Sequence, residues 1–327
     1  MNSMDKSKKI RTIPCYLCAE SSSKHMMRRI LVSGATGQLG NAFLAAARDY
    51  GDIRLTAANR HQLDVTDESQ VNRYFDTHSF DVCINTAAYT AVDKAETDEA
   101  ACRLANVDAV GFLANACAVH GIPLIHFSTD YVYHGIQNTP FRETDPTSPK
   151  SVYARTKLEG ELLAQQLHPQ TMIIRTSWVY AANGHNFMNT MLRLGRERSE
   201  LKVVFDQVGT PTYAPDLAGA VLEMLQKVWT GTVPATALQG VYHYSNEGVA
   251  SWYDFALAIL EYSGINCKVI PIESADYPTP AQRPPYSVLN KTRIKAAFGL
   301  EIPHWRASLR RCIQGWRLGR TIRLLDY

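Results

Sequence analysis

The chain of 327 residues is 46% hydrophobic and 20% charged, with a formal net charge of +3. That balance describes a globular protein with room for a large α/β domain and a smaller lobe, and it is too mild for nucleic-acid or membrane-surface binding. Seven cysteines scattered along the chain fit reduced thiols in the cytoplasm better than a disulfide framework, and no apolar run approaches a membrane span.

Residues 1–28 are a polar, basic lead-in (Lys6, Lys8, Lys9, Arg11, Ser21, Ser22, Ser23) without the apolar core of a secretory signal. Cys15-x-x-Cys18 lacks a second pair at zinc spacing and reads as incidental, and Met26 or Met27 is a candidate start. Ile30, Leu31 and Val32 then form a short apolar strand, followed by Gly34, Gly37 and Gly40 and a helix from Asn41. A strand, a glycine turn and a helix in that order suit a nucleotide pyrophosphate. Gly34 permits the turn, Gly37 lets backbone N–H groups approach the phosphates, and Gly40 lets the helix pack closely. No Gly-Lys-Ser/Thr follows, which excludes a P-loop.

Asp52–Ala58 reads as the second strand, and at its end stand Asn59 and Arg60. An acid there would accept from a ribose 2′-hydroxyl; Arg60 instead favours a 2′-phosphate, hence NADPH, with NADH left open. Asp64 and Val65 are placed for the adenine edge, and Thr66 or Asp67 for capping a helix that runs to His78. Val82–Ala88 is a further strand that continues into a polar helix near Tyr89–Glu96, and Asn106–His120 is a helix stopped by Gly121. Pro123–Tyr131 is a strand ending in hydroxyls and a carboxylate. Successive β-then-α units predict an α/β fold with a Rossmann-type doubly wound parallel sheet and a site at the strand carboxyl ends.

Tyr153 and Lys157 stand four apart, on one helix face. An ammonium beside the phenol is expected to lower its pKa towards the working range, where Tyr153 serves as acid or base. Thr129, at the preceding strand end, is placed to stabilise charge on a carbonyl oxygen.

Together Gly34–Gly40, Asn85–Glu96, Ser128–Tyr133, Tyr153–Glu161, Arg175–Ala181, Asp206–Pro211 and Tyr277–Pro284 resemble the extended short-chain dehydrogenases/reductases. Within them the chain is most similar to the dTDP-4-dehydrorhamnose reductase family, from Arg29 to about Trp316. The resemblance implies NADPH-dependent reduction of a dTDP-linked 4-keto sugar. It places Gly37, Gln38 and Leu39 at the pyrophosphate, and Asn59, Arg60, Asp64 and Val65 at the adenosine end. Ala88, Tyr89, Thr90 and Phe127 line the path to the nicotinamide; Tyr153 is the proton donor and Lys157 binds the nicotinamide ribose. Thr129 and Asp130 meet the keto sugar, with Trp178 beside it. Arg283 is a candidate for the diphosphate, a structural arginine being the alternative. Many members carry a glutamate two residues after the third glycine, associated with magnesium between subunits; Ala42 stands there, which weighs against a metal-bridged homodimer.

The nucleotide domain is expected over 29–180 with returning segments near 200–230, and the substrate lobe over 181–199 and 235–327. Phe187–Arg198 and Asp216–Val228 read as helices, Leu201–Phe205 as a strand. Trp252, Phe255 and His243 read as core residues, and Arg306–Arg323 as a basic helix with a solvated face. Other readings are a nucleotide-sugar dehydratase or epimerase and a non-catalytic regulatory subunit like the methionine adenosyltransferase β subunit. Tyr131 after Asp130, where such dehydratases carry glutamate, disfavours dehydration.

Overall fold

The structure, a computed structural model, describes residues 27–325, with side chains described through Arg317. Cys15, Cys18 and the rest of the lead-in before Met27 lie outside the described residues.

Six strands form the central sheet: β1 (Arg28–Ser33), β2 (Ile53–Ala58), β3 (Val82–Asn85), β4 (Leu124–Thr129), β5 (Thr171–Thr176) and Gly240–His243. The last of these lies at one edge, followed across the sheet by β5, β4, β3, β1 and β2, and every neighbouring pair is parallel. Helices cover both faces, so the inner strands must be apolar on both sides; that is why β1, β3 and β5 read as unbroken apolar runs. Alternation sorts each strand between two layers. Ile30, Val32, Ile84 and Ile174 face α1 (Gln38–Ala46) and the helix Ala214–Trp229. Leu31, Cys83 and Leu124 face the opposite layer, which contains Val71 and Phe75 of α2 (Glu68–Thr77). Asp67 caps α2 by accepting from Gln70 N (3.0 Å), while Thr66 bonds to Asp64 instead.

Between β3 and β4 the helical segments are α3 (Val92–Ala95), α4 (Glu99–Arg103), a π-helical turn (Leu104–Asp108) and α5 (Ala109–His120). The helix expected from Asn106 thus begins earlier, and the one expected near Tyr89–Glu96 shrinks to α3. Gly121 closes α5 with φ 65°, the left-handed conformation that glycine adopts freely. By length and mean hydropathy, Glu99–His120 is apolar enough to cross a bilayer, contrary to the sequence reading, yet 56% of that window is buried inside the protein. It is the layer that carries α6 (Val152–Leu167). A Cβ at Gly160 of α6 would stand 2.0 Å from Asn106 O, so the two helices touch backbone to backbone.

A third core lies beyond the sheet. The helices Phe187–Glu197, Trp252–Ser263 and Trp305–Leu325 pack there around Phe255, Ile259, Trp305 and Leu309. Glu200–Val204 pairs in parallel with Lys268–Ile272 beside them.

Candidate active site

The strand order reverses at β1, with β2 on one side and β3 on the other. Chain leaving β1 and β3 therefore parts at their carboxyl ends and opens a crevice there. The glycine turn occupies it so tightly that a Cβ on Gly34 (φ 69°) would stand 2.6 Å from Ala87 N. A Cβ on Gly40 would meet Ala35 Cα at 2.6 Å, which is how α1 starts flush against the turn. Ala35 N donates to Ala58 O (3.2 Å), so Asn59 and Arg60 follow directly beside the turn.

The crevice opens into a cavity of about 780 Å³, bounded by Gly34, Gly37, Gln38 and Leu39 on one side and by Asn85–Ala88, Thr90 and Val92 on another. Phe127–Tyr131, Tyr153 and Lys157 form its floor, and Thr176, Trp178, Gly184, His185 and Trp252 the far wall. This brings together Gly34, Gly37, Gln38, Leu39, Ala88, Thr90, Phe127, Thr129, Asp130, Tyr153, Lys157 and Trp178 of the expected site. The remaining expected residues stand off the lining. Gly40 lies beneath the turn. Tyr89 donates its phenol to Asp98 (3.1 Å). Asn59 accepts from His61 N and Gln62 N and so shapes its own turn. Arg60 pairs with Asp64 at 3.1 Å with 80% of its side chain exposed, and Val65 is buried in the second layer. Arg283 is engaged in a two-pronged pair with Asp93 (3.0 and 2.7 Å).

The protonation pattern differs from expectation. Burial raises the Tyr153 phenol above its ordinary value and Asp130 adds to the rise, while the Thr129 hydroxyl opposes it. Lys157 is not among the groups acting on that phenol; its Nζ donates to Phe127 O (2.7 Å) and meets His126 Nε2 (3.1 Å). Burial lowers Lys157 itself to about 8. Asp130 is raised to about 7 by burial, and neither its Oδ2 nor Ser128 Oγ has a hydrogen-bond partner. Thr129 Oγ1 donates to Asp130 Oδ1 (3.2 Å) and accepts from Tyr131 N (3.2 Å).

Trp252, expected in the core, stacks on Trp178 with ring centroids 3.6 Å apart and lines the cavity. Ser251 and Asp254 form a capping box that starts its helix there, which leaves Trp252 at the exposed first turn. Trp178 has φ 47°, alone among described non-glycine residues in that region. Phe255 and His243 are buried, as expected. Asn106, also unforeseen, accepts from Tyr89 N (2.9 Å) and donates to Tyr89 O (3.2 Å), fixing the loop after β3. An asparagine inside a helical run was its only sequence signal.

The open cradle of the glycine turn and the cavity it enters fit a dinucleotide. Magnesium does not fit at Ala42, which is packed in the first layer and offers no donor. A doubly wound sheet with a glycine turn facing a Tyr-Lys pair across its switch point defines a nicotinamide-dependent oxidoreductase of the extended short-chain class.

Comparison with known proteins narrows the class. The family model described as RmlD substrate binding domain matches residues 27–318. A dTDP-4-dehydrorhamnose reductase of Aggregatibacter actinomycetemcomitans is 40% identical over 291 residues, covering 87% of this chain and 98% of its own. The crystal structure of the Clostridium acetobutylicum reductase superposes with a TM-score of 0.83 at 37% identity, covering 88% of this chain and 99% of its own. That of the Bacillus anthracis reductase in complex with NADP gives 0.82 at 33% identity, covering 89% and 100%. The chain belongs to the dTDP-4-dehydrorhamnose reductase family.

Proposed function

We propose that the protein reduces the C4 keto group of dTDP-4-dehydro-β-L-rhamnose with NADPH, giving dTDP-L-rhamnose. The observation that carries this reading is the convergence of Tyr153, Lys157 and Thr129 on the cavity that the glycine turn enters. NADPH, when bound, supplies the hydride equivalent taken up at C4. Gly37, Gln38 and Leu39 present backbone to its pyrophosphate, and Arg60, free over most of its side chain, meets the 2′-phosphate. Tyr153 delivers its phenolic proton to the C4 oxygen. Its raised pKa keeps that proton in place at neutral pH, as a general acid requires. Thr129 hydrogen-bonds the same oxygen as charge develops there. Asp130 and Thr129 meet the keto sugar from the cavity floor, and the Trp178–Trp252 pair offers an apolar wall to the deoxysugar. Cys83, Cys102, Cys117, Cys267 and Cys312 are free thiols, in keeping with a reducing compartment such as the cytoplasm.

The test is NADPH absorbance decay with enzymatically prepared keto sugar. Tyr153→Phe is expected to lose about 10²–10⁴-fold in kcat while keeping its affinity for NADPH. Wild-type protein that binds NADPH but shows no substrate-dependent oxidation overturns the reading in favour of a partner-binding subunit.

A further inference from the structure

A line of buried polar groups runs beneath the cavity from β1 to α6. Ser33 Oγ donates to Asn85 Oδ1 (2.7 Å), Asn85 Nδ2 meets His126 Nδ1 (3.0 Å), and His126 Nε2 meets Lys157 Nζ (3.1 Å). All four residues are at most 2% exposed, so a mismatch within the line is costly and each proton must have a place.

The backbone settles the proton count. Asn85 Oδ1 also accepts from Ala87 N (3.0 Å), and a main-chain N–H can only donate. Turning the amide over would set its NH₂ against that N–H, so Nδ2 is the atom that faces His126. An NH₂ donates, which makes His126 Nδ1 the bare acceptor. A neutral imidazole with bare Nδ1 carries its proton on Nε2. That proton points at Lys157 Nζ. A neutral amine accepts it through its lone pair while one of its own N–H bonds serves Phe127 O (2.7 Å). An ammonium has no lone pair and faces a donor with a donor. Moving the imidazole proton to Nδ1 only transfers the clash to Asn85.

We propose that His126 is a positioning residue that favours the neutral amine of Lys157 over the ammonium in the ligand-free site and thereby sets the alkaline limit of kcat/KM. The proposal rests on the assignment of Lys157 to the catalytic pair. The other titratable groups around Lys157 are Tyr153 and Glu161 on its own helix, Cys102 from α4 and Asp130 beyond Tyr153. Glu161 favours the ammonium, but its carboxylate is engaged by Arg175 through three hydrogen bonds of 2.6–3.1 Å. Burial acts in the same direction as the proton count, lowering Lys157 and taking His126 well below its usual value.

Asn85→Asp reverses the relay. A carboxylate cannot donate, so it accepts from Nδ1–H, leaves Nε2 bare, and turns that nitrogen into an acceptor for the ammonium. The experiment is ¹⁵N NMR of the ligand-free full chain labelled at histidine, at mildly alkaline pH, with His126 assigned by its absence from His126→Leu (or His126→Gln if the leucine variant does not fold). Wild type is expected to show protonated Nε2 with bare Nδ1, and Asn85→Asp the opposite. In parallel, the alkaline limb of kcat/KM against pH, which reports the free enzyme, should move up by about one pH unit or more in Asn85→Asp, since the ammonium gains an acceptor. A histidine with only a structural role predicts a lower kcat/KM with the limb in place. Protonated Nδ1 in the wild type, or a limb unmoved in Asn85→Asp, overturns the proposal. The tautomer is read without turnover, so failure of the reductase reading itself would appear separately, as a correct tautomer in an inactive protein.

Discussion

Asp130 carries an acid–base prediction that stands apart from catalysis. Its carboxyl is buried at the end of β4, with Thr129 on one oxygen and nothing on the other. Burial raises its pKa from 3.8 to about 7, so between those values the folded protein holds a proton that the unfolded chain releases. Stability therefore falls as pH rises through that window and levels off above it. Asp130→Asn should flatten the profile of unfolding free energy between pH 4 and 7, measured in denaturant titrations; an unchanged slope would show that other groups set it. Arg60 is the residue for cofactor choice. Arg60→Ala should weaken NADPH by about tenfold, the scale of a hydrogen bond to a charged group, and leave NADH unchanged in paired titrations. Tyr153, Lys157 and Thr129 were legible because spacing and strand-end position report them. Ser33, Asn85 and His126 were not, since a polar residue inside an apolar strand shows no partner until neighbouring strands are in register. Trp252 packs against the third core and also lines the cavity, a double place that an amphipathic pattern does not show until the Ser251–Asp254 box fixes where its helix begins.

At the scale of elements, the glycine turn joins β1, α1 and the chain leaving β3, and its tolerance can be tested at single positions. Gly34→Ala combines a left-handed φ of 69° with a Cβ at 2.6 Å from Ala87 N, where only main chain could give way. A cost of at least about 1–2 kcal/mol from the backbone conformation alone should appear as a lower denaturation midpoint together with loss of NADPH affinity. Gly219 is the contrasting case. It lies in the helix Ala214–Trp229 with nothing within 4 Å of its added Cβ, so Gly219→Ala should stabilise by about 0.4–1 kcal/mol and leave affinity alone. If both variants behaved alike, the close approach at Gly34 would not be what fixes the turn. The inner strands and most long helices were readable from apolar runs and end signals. Short pairings such as Val179–Tyr180 with Thr212–Tyr213 were not, because two residues are too few to show a period of two. The π-helical turn at Leu104–Asp108 escaped for another reason. It lies where α6 meets Asn106 backbone to backbone, and it has no local signature.

For the molecule as a whole, the cavity has walls from the sheet and from the third core, and Gln38 ties the two by donating its Nε2 to His185 O (3.3 Å) and by accepting from Asn186. Asn186 Nδ2 donates to Gln38 Oε1 (2.7 Å) and to Ala181 O (2.8 Å), while its Oδ1 accepts from Asn189 N and caps the helix Phe187–Glu197. Gly184 (φ 82°) lets the same loop lie against Gln38, whose Cγ would be 3.0 Å from an added Cβ. Ligand on the glycine turn is thus coupled to a loop that begins the third core. NADPH at a hundred times its Kd stabilises the folded state by about 2.7 kcal/mol. At roughly 2–4 °C per kcal/mol for a chain of this order, that raises Tm by about 5–10 °C, and the rise should come in one transition because both walls hold the ligand. Asn186→Ala loses its cap, which costs about 1 kcal/mol with or without NADPH. If the tie to Gln38 also helps hold the dinucleotide, the variant's NADPH-induced rise should be smaller than that of wild type. In that case Gln38→Ala, which also loses the bond to His185 O, should shrink the rise at least as much as Asn186→Ala, and the double variant no further than Gln38→Ala, since the shared contact cannot be lost twice. Additive losses would instead mean that Gln38 and Asn186 serve the ligand separately and that the two walls respond to it independently.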